Sequence, residues 1–362
     1  MKQIKQQYIT VIIWLFLLPL AAFQLGACKK LVAIDEPITT ITSKEVFSTD
    51  AQATAAMAGV YSQMINPSLT FSNGAINFYC GYSADEFTDP ATDDGTSSAY
   101  TGNRLSAQLS DPVIWNSAYT AVYGADAVIE GIAASTSPLL HDSIRLALAS
   151  EAKFVRAFSY FYLVNLYGDV PLVLTIDFNK TVKMTRTPQD KVYEQIIADR
   201  KAAQAGLPAD YTASGGERIK PVRWAATALL ARVYLYLGQW EDAAQQAADV
   251  ISQTSLYGLN NDLSGVFLKN STEAIWQLQQ NTSAMYNGIV TGTATLEGFS
   301  ILPNPLNTGA INSITLTGQL LNAFEAGDQR KAAWVNSTGT GSSTYYYPFK
   351  YRTGAYNLEP AG

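Results

Sequence analysis

The stretch EAKFVRAFSYFYLVNLYGDVPLV, Glu151 to Val173, decides the fold class of this chain. Phe154, Phe158 and Phe161 recur at i, i+4 and i+7 and mark one helical face. Arg156, Tyr160, Leu163 and Tyr167 form a second, flatter face. A helix apolar on more than one side sits between neighbouring elements instead of on a surface. Gly168 suits the left-handed position just past a helix end, and Pro171 forbids continuation. The spacing predicts the central helix of a helical array.

Other helical patterns flank it. Thr42 and Glu45 make a capping box before a face of Val46, Ala53, Met57, Val60, Tyr61 and Met64. PVIWNSAYTAVYGADAVIEGIAA (112–134) predicts a helix, and Asp142 is a plausible N-cap for the helix that ends near Tyr167. In RTPQDKVYEQIIADRKAAQAGLP, Thr187 reads as N-cap with Pro188 at the first helical position. After a Gly/Ser turn at 214–217 come PVRWAATALLARVYLYLG and WEDAAQQAADVISQ. That pair has the signature of one tetratricopeptide repeat, with Ala231, Tyr234, Gly238, Ala243 and Val250 in register. Small residues allow close approach there, and Tyr234 and Trp240 are expected to fill the wider gaps.

Elsewhere the pattern dissolves. Residues 66–111 are rich in Gly, Asn, Asp, Ser and Tyr and read as a long irregular stretch, which in a compact domain is functional or disordered. From Leu259 the texture changes again. EAIWQLQQ (Glu273 to Gln280) reads as a short strand, followed by Gly/Thr/Asn-rich sequence to about Ser313. A helix over TLTGQLLNAFEAGDQRKAAWV and a strand over TYYYPFKYR follow.

Composition narrows the function. The chain has 362 residues, 48% of them hydrophobic, enough for a large core. Only 15% are charged, 24 basic against 30 acidic, for a net charge of −6, which disfavours a nucleic-acid partner. Twenty-one tyrosines and six tryptophans supply amphipathic rings for cores and for binding surfaces.

The N-terminus reads as an export signal, with Lys2 and Lys5 before an apolar run from Tyr8 to Phe23. The run is shorter than the ~20 residues that span a bilayer. LGAC, residues 25–28, then resembles a bacterial lipobox. Residues 1–27 are thus expected to be a lipoprotein signal peptide, Cys28 the lipidated residue and 28–40 a tether. The alternative is an ordinary secretory signal with an incidental cysteine. With Cys28 acylated, only Cys80 remains, so no intramolecular disulfide is expected, and Cys80 reads as a small buried hydrophobe.

Several of these segments together resemble the SusD/RagB family, surface lipoproteins of Bacteroidetes nutrient-uptake systems. The likeness is carried by the lipobox, by EAKFVRAFSYFYLVNLYGDVPLV, by VYEQIIAD, by RWAATALLARVYLYLGQWEDAAQQAADVI, by NAFEAGDQRK and by YPFKY, in that order. It implies a mainly α fold: a tetratricopeptide-like helical-repeat scaffold with an irregular loop-rich lobe and a few short strands. The domain would span 41–362, with scaffold at about 41–66, 112–258 and 314–335 and the lobe at about 67–111 and 259–313. Family members continue past the KY strand, so the resemblance also implies a missing C-terminal part. The implied function is non-catalytic. An outer-membrane lipoprotein, anchored through Cys28 and facing the cell exterior, captures a glycan and hands it to a TonB-dependent, SusC-like transporter. The alternatives are a peptide or another nutrient polymer as ligand, or a pure protein-interaction module.

Candidate sites follow from chemistry. Aromatic faces stack on the C–H faces of sugar rings while amides, carboxylates and guanidinium groups bond paired hydroxyls. Asn73, Asn77, Tyr79, Tyr82, Asp85, Tyr100 and Arg104 are the candidates in the first irregular stretch, and Tyr286 with Asn287 in the second. A hydrolytic triad would have to use His141, the single histidine, which reads as a solvated helix flank. Zinc lacks ligands. The acidic run Asp85, Glu86, Asp89, Asp93, Asp94 and Gly95 misses the EF-hand spacing and reads as a solvated loop. No metal or cofactor is expected.

Overall fold

The computed structural model describes residues 43–65, 69–89, 96–101, 103, 105–106, 112–279, 285–286, 289–290, 295–303, 314–339, 341 and 344–352. The expected signal peptide, Cys28 and Thr42 lie outside the described residues. Ser43–Val46 forms a single helical turn, α1, in a compact unit that ends at Val46. Everything below belongs to the second unit, which begins at Phe47.

Its scaffold comprises helices α2 (Asp50–Ile65), α5 (Val113–Ala134), α6 (Asp142–Tyr167), α8 (Gln189–Gly206), α9 (Arg223–Tyr236) and α10 (Trp240–Ile251). They pack in chain order, α2 on α5, α5 on α6, α6 on α8, α8 on α9 and α9 on α10. Such nearest-neighbour stacking is how helical repeats bury faces that no single repeat could cover. The centre is α6, where Phe154, Val155, Ala157, Tyr160, Phe161, Leu163 and Val164 are all buried. Two apolar faces place it between α5 and α8.

Arg156, on the flatter face of α6, ties three helices together. Its Nη1 donates to Asp126 Oδ1 on α5 at 2.6 Å. Its Nε and Nη2 donate to the two carboxylate oxygens of Asp199 on α8 at 2.8 and 2.7 Å. All three side chains are at most 8% exposed. A guanidinium fork meeting a carboxylate in parallel is among the stronger pairings available to a protein, and here it also sets the register of the array.

The end of α6 shows what the Gly-Asp-Val-Pro turn does. Gly168, at φ 68°, takes the conformation that favours glycine and returns its N–H to Val164 O at 3.0 Å. The chain then runs back along α5 and α6. Tyr119 Oη donates to Pro171 O at 2.7 Å, and Tyr160 Oη accepts from Val173 N at 2.6 Å. Asp169 caps the next scaffold helix, accepting from Gln189 N at 2.9 Å. This corrects the expected start of α8: Pro188 is the N-cap and the helix opens at Gln189, because Asp169 supplies the cap expected from Thr187. α6 likewise opens at Asp142, with His141 as its N-cap.

In the repeat-like pair α9–α10, Tyr234, Ala243 and Val250 are buried, and Gly238 makes the turn at φ 70°. Ala231 is only half-buried. Trp240 departs from expectation: it is 66% exposed and fills no gap.

The irregular lobe holds more regular structure than its composition suggests. Helix α3 (Ala75–Ser83) lies within the stretch read as irregular, with α4 (Thr96–Thr101) beyond it. Ala75, Phe78, Tyr79 and Tyr82 are buried at helical spacing. Strand β1 (Phe87–Thr88) pairs antiparallel with β4 (Thr315–Leu316), Phe87 opposite Leu316. Gly81 lets β1 come this close, since any side chain there would meet the Phe87 ring.

The helix expected over 315–335 is broken. After β4 come two short helices, α12 (Gly318–Ala323) and α13 (Gln329–Trp334), capped by Thr317 and Asp328 side chains. Gly327, at φ 87°, separates them. Strand β5 (Val335–Thr338) then pairs with β6 (Tyr345–Pro348). Earlier in the chain stand α7 (Phe178–Thr181), the antiparallel hairpin β2 (Met285–Tyr286) with β3 (Ile289–Val290), and α11 (Leu296–Ile301). The expected strand at 273–280 joins no ladder among the described residues. It is held instead by Trp276, which packs on Tyr61, Phe154 and Phe158 with centroids 6.1, 5.0 and 5.7 Å apart.

Candidate functional site

The aromatic candidates of the first irregular stretch turn inward. Tyr79 and Tyr100 are buried and stacked on each other, 4.3 Å apart and 4° from parallel. Tyr82 is buried edge-on to Phe87 at 6.2 Å. Asn73 is also buried, with Nδ2 donating at 2.8 Å to the carbonyl of Ile65, the last residue of α2. Asp85 is exposed at φ 58°, and its carbonyl accepts from the Thr317 hydroxyl, joining β1 to β4. Arg104 and Asn287 lie outside the described residues, as does the side chain of Tyr286.

Two candidates reach clefts, Asp85 at the β1–β4 ribbon and Asn77 in a larger, aromatic-walled one. Asn77 Nδ2 donates to Glu297 Oε1 on α11 at 2.8 Å, and both residues line a cavity of about 580 Å³. One wall is aromatic. Phe267 meets Trp334 edge-on at 5.2 Å and Tyr351 at 5.8 Å. Lys350 Nζ lies 5.6 Å from the Phe267 centroid and 5.9 Å from that of Trp334. Trp334 is anchored by its Nε1, which donates to Leu263 O at 2.9 Å. Burial pushes the Tyr351 hydroxyl well above the usual tyrosine range, so it remains protonated and able to donate.

The other polar groups are paired and oriented. Arg330 donates Nε and Nη2 to Asp328 at 2.9 and 2.6 Å, and that hydrogen bonding holds the Asp328 carboxyl below its ordinary range. The cleft therefore offers an amide, three carboxylates (Glu86, Glu297 and Asp328), a guanidinium, an ammonium and a phenol beside a ring cluster. This set can bond paired hydroxyls and cover the apolar face of a ring at once.

The enzymatic and metal candidates look different. His141 Nδ1 lies 2.6 Å from Asp50 Oδ2 on the surface, and the Asp50 carboxylate also accepts from His141 N. That contact fixes the start of α6 against the start of α2. Cys80 is a free, half-buried thiol whose pKa burial raises. Among the described residues no group of three His, Cys, Asp or Glu is arranged to hold a metal. Asp93, Asp94 and Gly95 of the acidic run lie outside them.

Phe267, Glu297, Trp334, Lys350 and Tyr351 were not candidates on sequence. Trp334, Lys350 and Tyr351 fall in or beside the quoted NAFEAGDQRK and YPFKY segments, which was the available signal. Phe267 and Glu297 carried none.

Fold and cleft define a helical-repeat scaffold that carries an irregular lobe with an open, aromatic-walled cleft. A family model described as SusD-like, starch-binding associating with outer membrane, matches residues 42–235. That is more than half of the chain, and the chain belongs to the SusD-like family. It is 27% identical over 340 residues to SusD-like protein P2 of Formosa agariphila, covering 87% of this chain and 63% of that protein. A SusD-like protein of Bacteroides ovatus is 26% identical over 181 residues, 46% of this chain and 32% of that one. The chain thus spans about a third to just under two thirds of these relatives. Among solved structures it is similar to a laminarin-binding SusD-like protein, with TM-score 0.71, 19% identity, and 84% of this chain and 72% of that chain covered. Surface glycan-binding protein A from Bacteroides fluxus gives TM-score 0.69 at 19% identity, covering 84% of this chain and 69% of that one.

Proposed function

We propose that this chain is a non-catalytic glycan-binding lipoprotein of the outer membrane, anchored through Cys28 and facing the cell exterior. It captures an oligosaccharide or polysaccharide and passes it to a TonB-dependent, SusC-like transporter. The observation that carries the binding role is the cleft itself: aromatic rings beside Asn77, Glu297, Asp328, Arg330 and Lys350, in a volume of about 580 Å³. Membership of a family described as starch-binding, and likeness to laminarin- and glycan-binding proteins, support a glucan as first ligand to test.

Migration of the full chain through native gels containing starch or laminarin tests binding. Retardation in one of them, with no retention on an immobilised peptide library, is the expected result. Retention on peptides alone would contradict the glycan assignment. Lipidation is tested by mass spectrometry of the membrane-derived protein, in which Cys28→Ala should lose the acyl chain and leave an unprocessed or soluble form.

A further inference from the structure

A second cavity, of about 430 Å³, lies on the β1–β4 ribbon. Phe87 and Leu316, directly opposite each other in that ribbon, line both cavities. The two clefts therefore share a wall and differ sharply in chemistry. Where the first presents Glu86, Glu297, Asp328, Arg330 and Lys350, the second is lined by hydroxyls and amide: Thr88, Thr101, Thr317, Thr344 and Gln319, with Asp85 as its one charged residue. Tyr346 adds a 42% exposed ring, held on β6 opposite Ser337 of β5.

We propose that the second cleft is an additional sugar subsite, and that one ligand chain crosses the ribbon to occupy both. This rests on the glycan assignment above and deepens it, because it makes the ligand an extended oligomer with uncharged units at the second cleft. The Gln319 amide and the Thr88 hydroxyl can donate and accept, while Thr317 and Thr344, whose protons go to Asp85 O and Gly341 O, keep a lone pair to accept, so the set matches neutral hydroxyls without the desolvation cost of an ion. An exposed tyrosine at the edge supplies an apolar face with little to lose on binding, since its surroundings are already ordered by the β5–β6 pairing. The shared Phe87–Leu316 wall brings the two clefts close enough for one chain to touch both. Affinity should then rise with ligand length until both clefts are filled, as for two linked binding events.

The test uses the two glucans named above, each cut and fractionated into a ladder of oligomers, titrated against the full chain, Gln319→Ala and Tyr346→Ala. Both substitutions are at exposed side chains, and unchanged thermal midpoints verify the fold. If only one variant folds, it alone suffices. The expected result is affinity rising with length in the native chain, with each variant losing fivefold or more for long oligomers and less than twofold for the shortest that bind. Equal losses at all lengths, or no loss at any, would overturn the second subsite while leaving the glycan assignment standing. If no oligomer of either glucan binds, the inference falls together with the assignment on which it rests.

Discussion

The helix array and the lobe are held together by different means. In the array, neighbours in sequence are neighbours in space, and the contacts are buried apolar side chains plus one buried charge network through Arg156. In the lobe, contacts join segments far apart in sequence. Asn77 meets Glu297 across 220 residues, Thr317 meets Asp85 across 232, and Phe87 pairs with Leu316 in a ribbon two residues long. The array's contacts are thus local and repeated, whereas the lobe depends on being placed. A binding face built from such distant pieces can change its side chains while the scaffold stays constant, which fits loops as the carriers of function.

Breaking the charge network should have the largest effect. Arg156→Met leaves Asp126 and Asp199 buried without the guanidinium that joins them, and removing one partner of a buried pair costs about 3–5 kcal/mol. Urea unfolding should show that loss in the full chain. An unchanged midpoint would mean that the network contributes nothing to the array. Ala157→Phe, at a fully buried site of α6, should cost about 1–3 kcal/mol by overpacking. Ala231→Phe should cost less, since Ala231 is only half-buried, and equal costs would show that α9 is packed more tightly than described.

In the lobe, Tyr100→Ala removes one ring of a buried stack and should lower the melting temperature. A double-mutant cycle with Tyr79→Ala should return a coupling of about 0.5–1.5 kcal/mol. A stable Tyr100→Ala variant with weakened glucan binding would instead make this ring part of the ligand site.

The pH response sharpens the comparison further. Burial pushes Asp126 up to about 6, outweighing the nearby Arg156, and its second oxygen has no partner among the described residues. From about pH 4 to 6 the folded chain keeps a proton that the unfolded chain has released, so stability falls as pH rises through that window. Asp126→Asn should flatten this slope and leave stability at neutral pH equal or higher. A lower midpoint for the variant at pH 7 would show that the ionised carboxylate is a net stabiliser.

The array was legible because its determinants are local. The Phe154, Phe158, Phe161 spacing, Gly168 and Pro171 each act within one or two turns of helix. The Ala75, Phe78, Tyr79, Tyr82 stripe of α3 was equally local, but the Gly and Asn residues around it masked it. The break between α12 and α13 was signalled by Gly327 and Asp328, which a continuous helix would not favour. Glu273–Gln280 has a strand's composition, yet among the described residues its backbone joins no ladder, and Trp276 anchors it to α2 and α6. The cleft was not legible. Its rings and polar groups come from α3, the segment before Trp276, α11, α13 and the end of β6, and no periodicity links positions that only tertiary packing brings together. For the same reason the tyrosines that looked available in sequence, Tyr79, Tyr82 and Tyr100, are packed against their own neighbours.

The most direct test of the central claim, that the aromatic-walled cleft of the lobe binds glycan, is calorimetric titration of the glucan that retards the native chain. The variant is the pair Asn77→Ala with Glu297→Gln, which removes the paired amide and carboxylate together and leaves no charged partner stranded. Tenfold or weaker binding with an unshifted melting temperature is the result expected here. Unchanged affinity in the double variant, with the fold intact, would contradict it.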